Sequence, residues 1–333
     1  MIDIKKARPS IVVLGGGTGT FTVLSGLKYL AVDLTAIVSI ADDGGSTGRL
    51  RDEQGVLPPG DIRQCLAALA EGDDALRRLL NFRFSGGELD GHNFGNLLIT
   101  ALQKMYGSAE SAVKMAHKIL RVRGRVIPVS AQSSTLYAEL EDMTVVEGEH
   151  AIDDPVSMRS PISRCFLDPV VLANPDAVDA IMEADAIVLG PGDLHTSLIP
   201  VLLVEGIRTA LEGTKAKKIF VMNLVSKKAQ TEGYTARRFV GSLDPYYDSA
   251  DLDYVIINNQ PIPPRTLERY TKVGEGPVVD DFQDDEHFQV VREDVLSGSV
   301  AKPVNGDRLS RNLLRHDQMK LAKVILEIVE GVR

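Results

Sequence analysis

A glycine-rich turn near the beginning of the chain restricts the possible folds more than any other sequence feature. Residues 11–27 read IVVLGGGTGTFTVLSGL, in which a short apolar run enters four glycines within five residues and an apolar-periodic segment follows. A strand that turns tightly into a helix places backbone N–H groups at the helix N-terminus, where they favour anions. A tight turn capped by Thr18 or Thr20 would need fewer glycines, and we therefore interpret this stretch as a ligand-binding loop.

The spacing of the glycines differs from the two common phosphate-binding motifs. In the dinucleotide pattern G-x-G-x-x-G, Gly15 and Gly17 occupy the first two positions, but Thr20 stands at the third. A P-loop is excluded because no Gly-Lys-Ser/Thr follows. The pattern predicts a phosphate-binding loop and weakens the dinucleotide interpretation, so that a dehydrogenase is only a third possibility. The candidate ligand-binding residues of this loop are Gly16, Gly17, Thr18 and Gly19.

Strand-like and helix-like segments alternate along most of the chain. Strands are predicted at residues 11–14, 34–40, 186–189, 218–223 and 253–258. Helices are predicted at residues 20–30, 61–71, 74–82, 93–106, 108–122 and 309–329. Short alternating runs between about residues 125 and 166 predict a small β-rich insertion.

This alternation implies an α/β fold, with a mostly parallel sheet and helices on both faces. We expect one such domain over residues 1–333, with a helical segment at about 61–122 and the β-rich insertion at about 125–166. Ligands of such sheets bind beyond the carboxyl ends of the strands. The loops that follow strands are therefore the candidate site.

Composition and charge exclude several kinds of partner. The 333 residues are 44% hydrophobic and 25% charged, which is typical of a globular protein with a substantial core. The net charge of −9 and the absence of a basic stripe argue against nucleic acid or an anionic membrane as a partner. The two cysteines belong to no C-x-x-C pair, which argues against zinc and disulfides. Because the apolar run at 198–204 is too short to span a bilayer and no signal peptide is recognisable, we expect a cytoplasmic protein.

The loop after the second predicted strand reads ADDGGSTGR and contains Asp42, Asp43 and Ser46. An acidic residue at this position of a dinucleotide fold binds ribose hydroxyls. If the strand has already ended, both aspartates could face the cleft and hold Mg²⁺ or a sugar hydroxyl. A surface Asx turn would also explain them, but the neighbouring glycines and arginines favour a ligand.

Two helix starts supply further candidates. Asp61 resembles an N-cap, while Arg63 could reach either a phosphate or an acidic partner. The segment GHNFGN precedes a predicted helix, and its Asn93 and Asn96 are predicted to bind a base or a sugar. Its histidine, His92, has no nucleophile as a partner, and a lone histidine is usually structural.

A second glycine turn, GPGDLHTS, follows the strand predicted at 186–189 and precedes another helix. Its candidate anion-binding residues are Gly190, Gly192, Thr196 and Ser197. Two such loops on one sheet predict two phosphates or the two ends of one extended ligand. Neither a Ser-His-Asp order nor a Cys–His pair nor a metal-binding histidine spacing is present, so we predict no catalytic residue and no metal ligand.

Taken together, GGGTG, ADDGGSTGRLR, PPGDIRQCLAALA, GHNFGNLL, LGPGDLHTS and NNQPIPP resemble the YvcK family of gluconeogenesis factors. That family belongs to the YvcK/CofD superfamily, which also contains 2-phospho-L-lactate transferase. The resemblance extends from about residue 11 to residue 328 and implies a Rossmann-like CofD fold. For the transferase branch it implies a guanine nucleotide derivative, a deazaflavin and Mg²⁺.

For the YvcK branch, which GHNFGNLL and LGPGDLHTS match better, the resemblance implies binding of a UDP-sugar such as UDP-N-acetylglucosamine. It also implies a role in cell-wall precursor supply and cell shape on gluconeogenic carbon sources, and hence a protein partner in that synthesis. We also expect a homo-oligomer.

The resemblance assigns ligand contacts to individual residues as well. Thr18 and either Asp42 or Asp43 match the nucleotide cleft of the family. Tyr270, in LERYTKVG, matches a tyrosine that stacks on or bonds to the nucleotide, and Arg315, in LLRHDQMKL, matches an arginine that holds the ligand.

Two hypotheses follow. The first is a UDP-sugar-binding regulatory protein, and the second is a Mg²⁺-dependent transferase in which Asp42 and Asp43 hold the metal. The absence of tryptophan and an aromatic content of 5% make a deazaflavin stacking platform hard to build, which favours the first hypothesis. Gln318 stands where members of the family often carry a phosphorylatable threonine, so regulation by phosphorylation is not expected at that position.

Overall fold

The predicted alternation builds a parallel sheet in the computed structural model, which describes residues 8–71, 74–154, 156, 160–284, 286–298 and 314–333. Ten strands lie within these residues: β1 (Ser10–Gly15), β2 (Asp33–Val38), β3 (Arg125–Pro128), β4 (Thr135–Leu140), β5 (Val145–Glu147), β6 (Ile162–Asp168), β7 (Ala186–Leu189), β8 (Lys217–Val221), β9 (Tyr254–Asn258) and β10 (Gln289–Glu293). Seven of them form the main sheet in the order β10-β9-β8-β7-β1-β2-β3, and every neighbouring pair is parallel.

The strands at the centre of this sheet are buried on both faces. In β1, Ile11, Val12, Val13 and Leu14 are all fully buried, and successive residues pack into different core clusters on opposite sides of the sheet. Helices cover both faces for this reason, because a parallel sheet with two apolar faces has to be covered on each. The predicted α/β class, with a mostly parallel sheet of the Rossmann-like kind, is confirmed.

Helices connect the strands. The described helices are α1 (Gly17–Leu27), α2 (Gly45–Gln54), α3 (Pro59–Leu69), α4 (Asp74–Leu80), α5 (Phe94–Tyr106), α6 (Ala109–Leu120), α7 (Glu149–Asp153), α8 (Pro175–Met182), α9 (Ile199–Leu202), α10 (Ile207–Gly213), α11 (Ala236–Gly241), α12 (Pro264–Thr271) and α13 (Gln318–Val329). None of them is long and apolar enough to cross a membrane.

The last helix begins later than the sequence pattern predicts. The Asp317 side chain accepts hydrogen bonds from the N–H groups of Met319 and Lys320, so that the helix begins at Gln318, and residues 309–313 lie outside the described part of the chain. Leu314, which falls inside the predicted helix at 309–329, lies before the observed helix in a separate small core. The aspartate N-cap, rather than the periodicity of the apolar residues, determines where this helix begins.

The predicted β-rich insertion is divided between two sheets. β4, β5 and β6 form a small antiparallel sheet in the order β5-β4-β6 within the described residues, and α7 lies between β5 and β6. The run at 125–128 instead forms β3, the edge strand of the main sheet, in parallel register with β2. An edge position tolerates Pro128, which has no N–H to donate.

The strand order reverses between β1 and β7. The chain proceeds outward from β1 to β2 and β3, returns to β7 on the other side of β1, and then proceeds outward to β10. The loops that follow β1 and β7 therefore lie side by side at the carboxyl edge of the sheet. A switch point of this kind is where open α/β sheets bind ligands.

Candidate functional site

The two glycine loops form one wall of a cavity of about 190 Å³ at the switch point. The first loop contributes the residues at the start of α1, and the second contributes Pro191, Gly192, Asp193 and Ser197. The other walls come from the loop after β2, the first turn of α3, helix α7, residues 223–227 after β8, and residues 314–316. The cavity thus collects segments that are far apart in the sequence.

Packing explains part of the glycine content of the first loop. A Cβ atom at Gly16 would overlap the Asp61 carboxylate, and one at Gly19 would overlap the carbonyl oxygen of Pro191. Gly17 has a φ of +63°, and a Cβ atom added there would lie 3.7 Å from the hydroxyl oxygen of Ser197, its nearest neighbour. The loop needs glycine because it touches α3 and the second glycine loop, and these contacts form one face of the cavity.

The Asp61 carboxylate lies between the N-termini of two helices. Its Oδ1 accepts a hydrogen bond of 2.8 Å from the N–H of Gly17 at the beginning of α1. Pro58 occupies the N-cap position of α3 and Asp61 is the third residue of this helix, so the expectation that Asp61 is its N-cap is wrong. Helix N-termini stabilise a negative charge, and the protein thereby supplies one of the anions that the first glycine turn was predicted to bind.

The second glycine loop continues into a π-helical turn, Leu194–Leu198. Ser197 lines the cavity, whereas Thr196 is buried and its hydroxyl has no hydrogen-bond partner within the described residues. His195 is buried as well, and burial lowers its pKa to about 4 although Asp193 opposes the shift. π-turns inside helices are frequent at functional sites.

An ion cluster links this loop to the insertion. The Lys227 ammonium contacts the carboxylates of Asp153 and Asp193, the latter at 2.7 Å, and Gln230 donates to Asp153 at 2.6 Å. Burial disfavours the charge on Lys227, but Asp193 and Asp153 outweigh it and raise the Lys227 pKa. The sequence does not predict Lys227 or Asp153 as site residues, because no local motif connects residues separated by 74 positions.

Most of the charged side chains that line the cavity are carboxylates. They belong to Asp42, Asp61, Glu149, Asp153 and Asp193. The Asp42 Oδ1 accepts the N–H of Gly44 at 3.0 Å, which is the Asx-turn geometry that the sequence left open. Burial, followed by the neighbouring carboxylates, raises the Glu149 pKa well above its ordinary value.

Asp43 has a different environment from Asp42. Its Oδ1 accepts a hydrogen bond of 2.8 Å from the N–H of His150 on α7, and it does not line the cavity. Burial raises the Asp43 pKa. Across the described ranges no three His, Cys, Asp or Glu side chains converge as a metal site requires. The two aspartates therefore do not fit the Mg²⁺ clamp of the transferase hypothesis.

Three predicted binding residues belong to a buried network outside the cavity. Ser46 Oγ accepts from the N–H of Asn93 at 3.2 Å, and Asn96 donates to Ser46 at 3.4 Å and to Thr47 at 3.2 Å. Arg63 donates to Asn96 Oδ1 at 2.9 Å. These bonds join α2, α3 and α5, and the direct contact between Ser46 and Asn93 leaves no space for a base between them.

The two residues assigned by family resemblance lie at different depths. Arg315 lines the cavity together with Leu314 and His316. Tyr270 is 4% exposed and lies behind them, where its hydroxyl accepts the N–H of Leu314 at 2.8 Å. His316 is within 3.1 Å of the Met222 carbonyl oxygen, and burial lowers its pKa to about 4. Tyr270 thus positions the segment that presents Arg315.

The structure therefore brings about half of the predicted site residues together. Those that line the cavity are Gly16, Gly17, Thr18, Gly19, Asp42, Gly192, Ser197 and Arg315. Those that lie outside its lining are Asp43, Ser46, Asn93, Asn96, Gly190, Thr196 and Tyr270.

Comparison with known proteins agrees with the fold and shows relatives that match most of the chain. The family model described as 2-phospho-L-lactate transferase CofD matches residues 11–296. The gluconeogenesis factor of Bacillus subtilis (strain 168) is 37% identical over 325 residues, which cover 97% of this chain and 99% of that protein. The gluconeogenesis factor of Listeria innocua is 39% identical over 265 residues, with 79% and 81% covered. The crystal structure of protein BH3568 from Bacillus halodurans superimposes with a TM-score of 0.88 at 35% identity and covers 96% of this chain and 100% of its own.

Proposed function

This chain belongs to the CofD family, and from that premise we propose that it acts as a gluconeogenesis factor that binds a UDP-sugar at the switch point. UDP-N-acetylglucosamine is the ligand that we propose, and regulation rather than turnover is the role. The observation on which the proposal rests is the meeting of two glycine loops on one cavity.

The diphosphate would lie against the glycine loops. The beginning of α1 and the loop at Gly192 both allow close approach to the backbone, and Thr18 and Ser197 offer hydroxyl donors. Arg315 adds a guanidinium group on the facing wall, and guanidinium groups bind phosphate oxygens in a bidentate manner. Asp61 occupies the N–H of Gly17, and the two phosphates would use the hydroxyl groups of Thr18 and Ser197 on the two loops.

The acidic wall suits a sugar. Carboxylates repel further phosphates but accept hydrogen bonds from hydroxyl groups. Asp42 lines this wall beside the glycine loop, and Asp153 extends it toward the insertion. A nucleotide sugar combines the two chemistries that the cavity offers.

The base would pack on the apolar wall formed by Leu224, Val225 and Leu314. Tyr270 belongs to the same small core and supports this wall from behind. The hydrogen bond between Ser46 and the N–H of Asn93 leaves no space for the base at Asn93, where the sequence predicted a base or a sugar.

The alternative is a transferase related to the enzyme that names the family model. That reaction needs a large apolar or aromatic pocket for an acceptor. The residues that line the cavity include no Phe or Tyr in the part of the chain that the structure describes, and Asp42 and Asp43 engage different partners. Regulation is favoured for these reasons.

The biological role follows from the ligand. A protein that binds UDP-N-acetylglucosamine would report its level to a protein partner in cell-wall precursor synthesis, which would support cell shape on gluconeogenic carbon sources. The proposal places the protein in the cytoplasm, where such precursors are made, and includes assembly into a homo-oligomer.

Titration calorimetry with UDP-N-acetylglucosamine, GDP and NAD, each with and without Mg²⁺, tests the proposal. We expect binding of the UDP-sugar without a metal requirement. Arg315→Ala should weaken that binding about tenfold or more through loss of a charged hydrogen bond. Arg265→Ala, at an exposed position on α12, is the matched control and should bind normally. Metal-dependent binding of GDP alone would support the transferase, and the absence of UDP-sugar binding would exclude the proposed ligand.

A further inference from the structure

Helix α7 brings two carboxyl groups into the cavity that neither the sequence nor the family resemblance assigned, those of Glu149 and Asp153. Glu149 is the first residue of α7, which is the part of the insertion that reaches the switch point. It lines the cavity together with Asp153, one turn further along the same helix. The insertion thus contributes two carboxyl groups to the site.

The other carboxylates of the cavity all accept hydrogen bonds from the protein. Asp42 accepts from the N–H of Gly44, and Asp61 accepts from the N–H of Gly17. Asp153 and Asp193 share the Lys227 ammonium group, and Asp153 also accepts from Gln230. Asp43, just outside the cavity, accepts from the N–H of His150.

Glu149 differs from them because its carboxyl group has no hydrogen-bond or ion-pair partner among the described residues. Instead, like charges surround it from the loop after β2, from α3 and from its own helix: Asp42, Asp43, Asp61 and Asp153. Lys227, the cation of the ion cluster, is already shared by two carboxylates. A carboxylate in such surroundings is disfavoured relative to the neutral acid.

We propose that Glu149 is protonated in the free protein and donates its O–H to an acceptor oxygen of the bound nucleotide sugar. The inference rests on the function proposed above and adds a specificity-determining residue to it. An ionised Glu149 would repel a phosphate oxygen and could only accept hydrogen bonds. A neutral carboxyl group instead offers one donor, which lets an acid-lined cavity admit an anionic ligand.

The affinity for UDP-N-acetylglucosamine as a function of pH tests this assignment. The ligand is a diphosphate diester and does not titrate from about pH 5 to about pH 8.5. Because the protonated form binds, affinity should fall as pH rises through the raised pKa of Glu149, by at most about tenfold per pH unit. His195, in the turn packed against α7, has a pKa of about 4 and stays neutral in this range.

Two variants of Glu149 and two control variants separate the effect of the donor from the effect of the charge. Glu149→Gln retains an N–H donor that does not titrate, so it should bind within about threefold of the wild type at low pH and lose this pH dependence. Glu149→Ala lacks the donor and should bind about tenfold more weakly at low pH. Glu141→Gln, which removes an exposed carboxylate elsewhere in the insertion, is the control and should behave as wild type. His150→Gln excludes the neighbouring imidazole as the titrating group.

Carboxyl-carbon NMR of the ligand-free protein supplies a second measurement. The resonance that Glu149→Gln removes should titrate well above the ordinary glutamate range. An ionised Glu149 at neutral pH, or equal weakening by Glu149→Gln and Glu149→Ala, would overturn the inference while leaving UDP-sugar binding intact. Failure of the wild type to bind the UDP-sugar at any pH would instead remove the proposed function together with its ligand-contact residue.

Discussion

The two edges of the main sheet have depressions of opposite charge. The cavity at the carboxyl edge measures about 190 Å³, and five acidic and two cationic residues are part of its lining, whereas a groove of about 860 Å³ lies at the amino edge. Its cationic lining residues are Arg8, Lys28, Arg123 and Arg125. In a chain with a net charge of −9, the larger and more basic groove would be the obvious candidate for an anionic ligand.

Helix direction explains the charge at both edges. The groove lies where α1, α3 and α6 end, and the carbonyl ends of helices attract cations. Lys28 donates to the carbonyl oxygen of Ala70 at the end of α3, and Arg123 pairs with Glu71. At the carboxyl edge Asp61 occupies the corresponding position at two helix N-termini.

Charge alone therefore does not identify the ligand site in this fold. At both edges of the sheet the side-chain charges compensate the partial charges of the helix ends. The two edges differ in their backbone and in the charged groups that have no partner. The carboxyl edge has two glycine loops in contact and one carboxyl group, that of Glu149, with no partner in the described chain. Substitutions at the two edges should separate these contributions.

The largest effect is expected for Gly19→Ala. The added methyl group would overlap the carbonyl oxygen of Pro191, which is backbone and cannot rotate away, so the two glycine loops must separate. We expect a loss of about 3 kcal/mol or more in the free energy of unfolding, measured by urea denaturation. Gly276→Ala is the matched control, because an added Cβ there meets open space. Equal stability of the two variants would show that the contact between the loops is not tight.

Acid sensitivity gives the next largest effect and concerns the carboxyl edge. His316 and His195 are buried there, and burial lowers both pKa values from about 6.5 to about 4. With a folded-state pKa below the unfolded one, the stability that each contributes is present above about pH 6.5 and is lost as pH falls toward 4. The loss is on the order of 3 kcal/mol for each histidine.

Urea denaturation between about pH 7 and about pH 4.5 measures this loss. His316→Gln should decrease the slope of stability against pH by up to one proton, because glutamine can still donate to the Met222 carbonyl and does not titrate. His287→Gln, at an exposed position, should leave the slope unchanged. An unchanged slope in His316→Gln would mean that the imidazole reaches solvent.

Five of the seven strands of the main sheet, all but β3 and β10, and the convergence of the loops that follow them are predicted from the sequence, because both depend on local patterns. A buried β-branched run such as 186–189 and a glycine turn such as Gly190-Pro191-Gly192 are recognisable without their surroundings. Topology then places the two glycine turns side by side, since parallel strands end at one edge.

The remaining features depend on tertiary contacts. Ser46, Asn93 and Asn96 are polar residues at helix starts, and the same residue types cap helices, bind ligands and join helices, so their pattern alone cannot decide among these roles. Glu149 reaches the cavity because the insertion folds back on the switch point, and Lys227 reaches it from the segment after β8. No local period predicts a contact between such distant residues.

The smallest effects are expected from a matched pair, Asp61→Asn at the carboxyl edge and Lys28→Met at the amino edge. Asp61→Asn removes a partly buried charge from two helix N-termini while keeping an acceptor for the N–H of Gly17, and should lower the free energy of unfolding by about 1 kcal/mol. Lys28→Met should lower it by less, about 0.5 kcal/mol. Burial lowers the pKa of Lys28, and so do the nearby cations Arg77 and Arg123, so the variant loses the bond to Ala70 but also relieves repulsion.

Ionic strength distinguishes the two members of this pair. Salt screens the repulsion among the cations at the amino edge, so the deficit of Lys28→Met should grow as salt is added. The deficit of Asp61→Asn should shrink, because the interaction that it removes is an attraction between a carboxylate and helix N-termini. Urea denaturation at low and high salt measures both. If salt changed the losses in the free energy of unfolding of both variants in the same direction, the charges at the two edges would not play opposite roles. The cations at the amino edge would then have to be explained by a ligand.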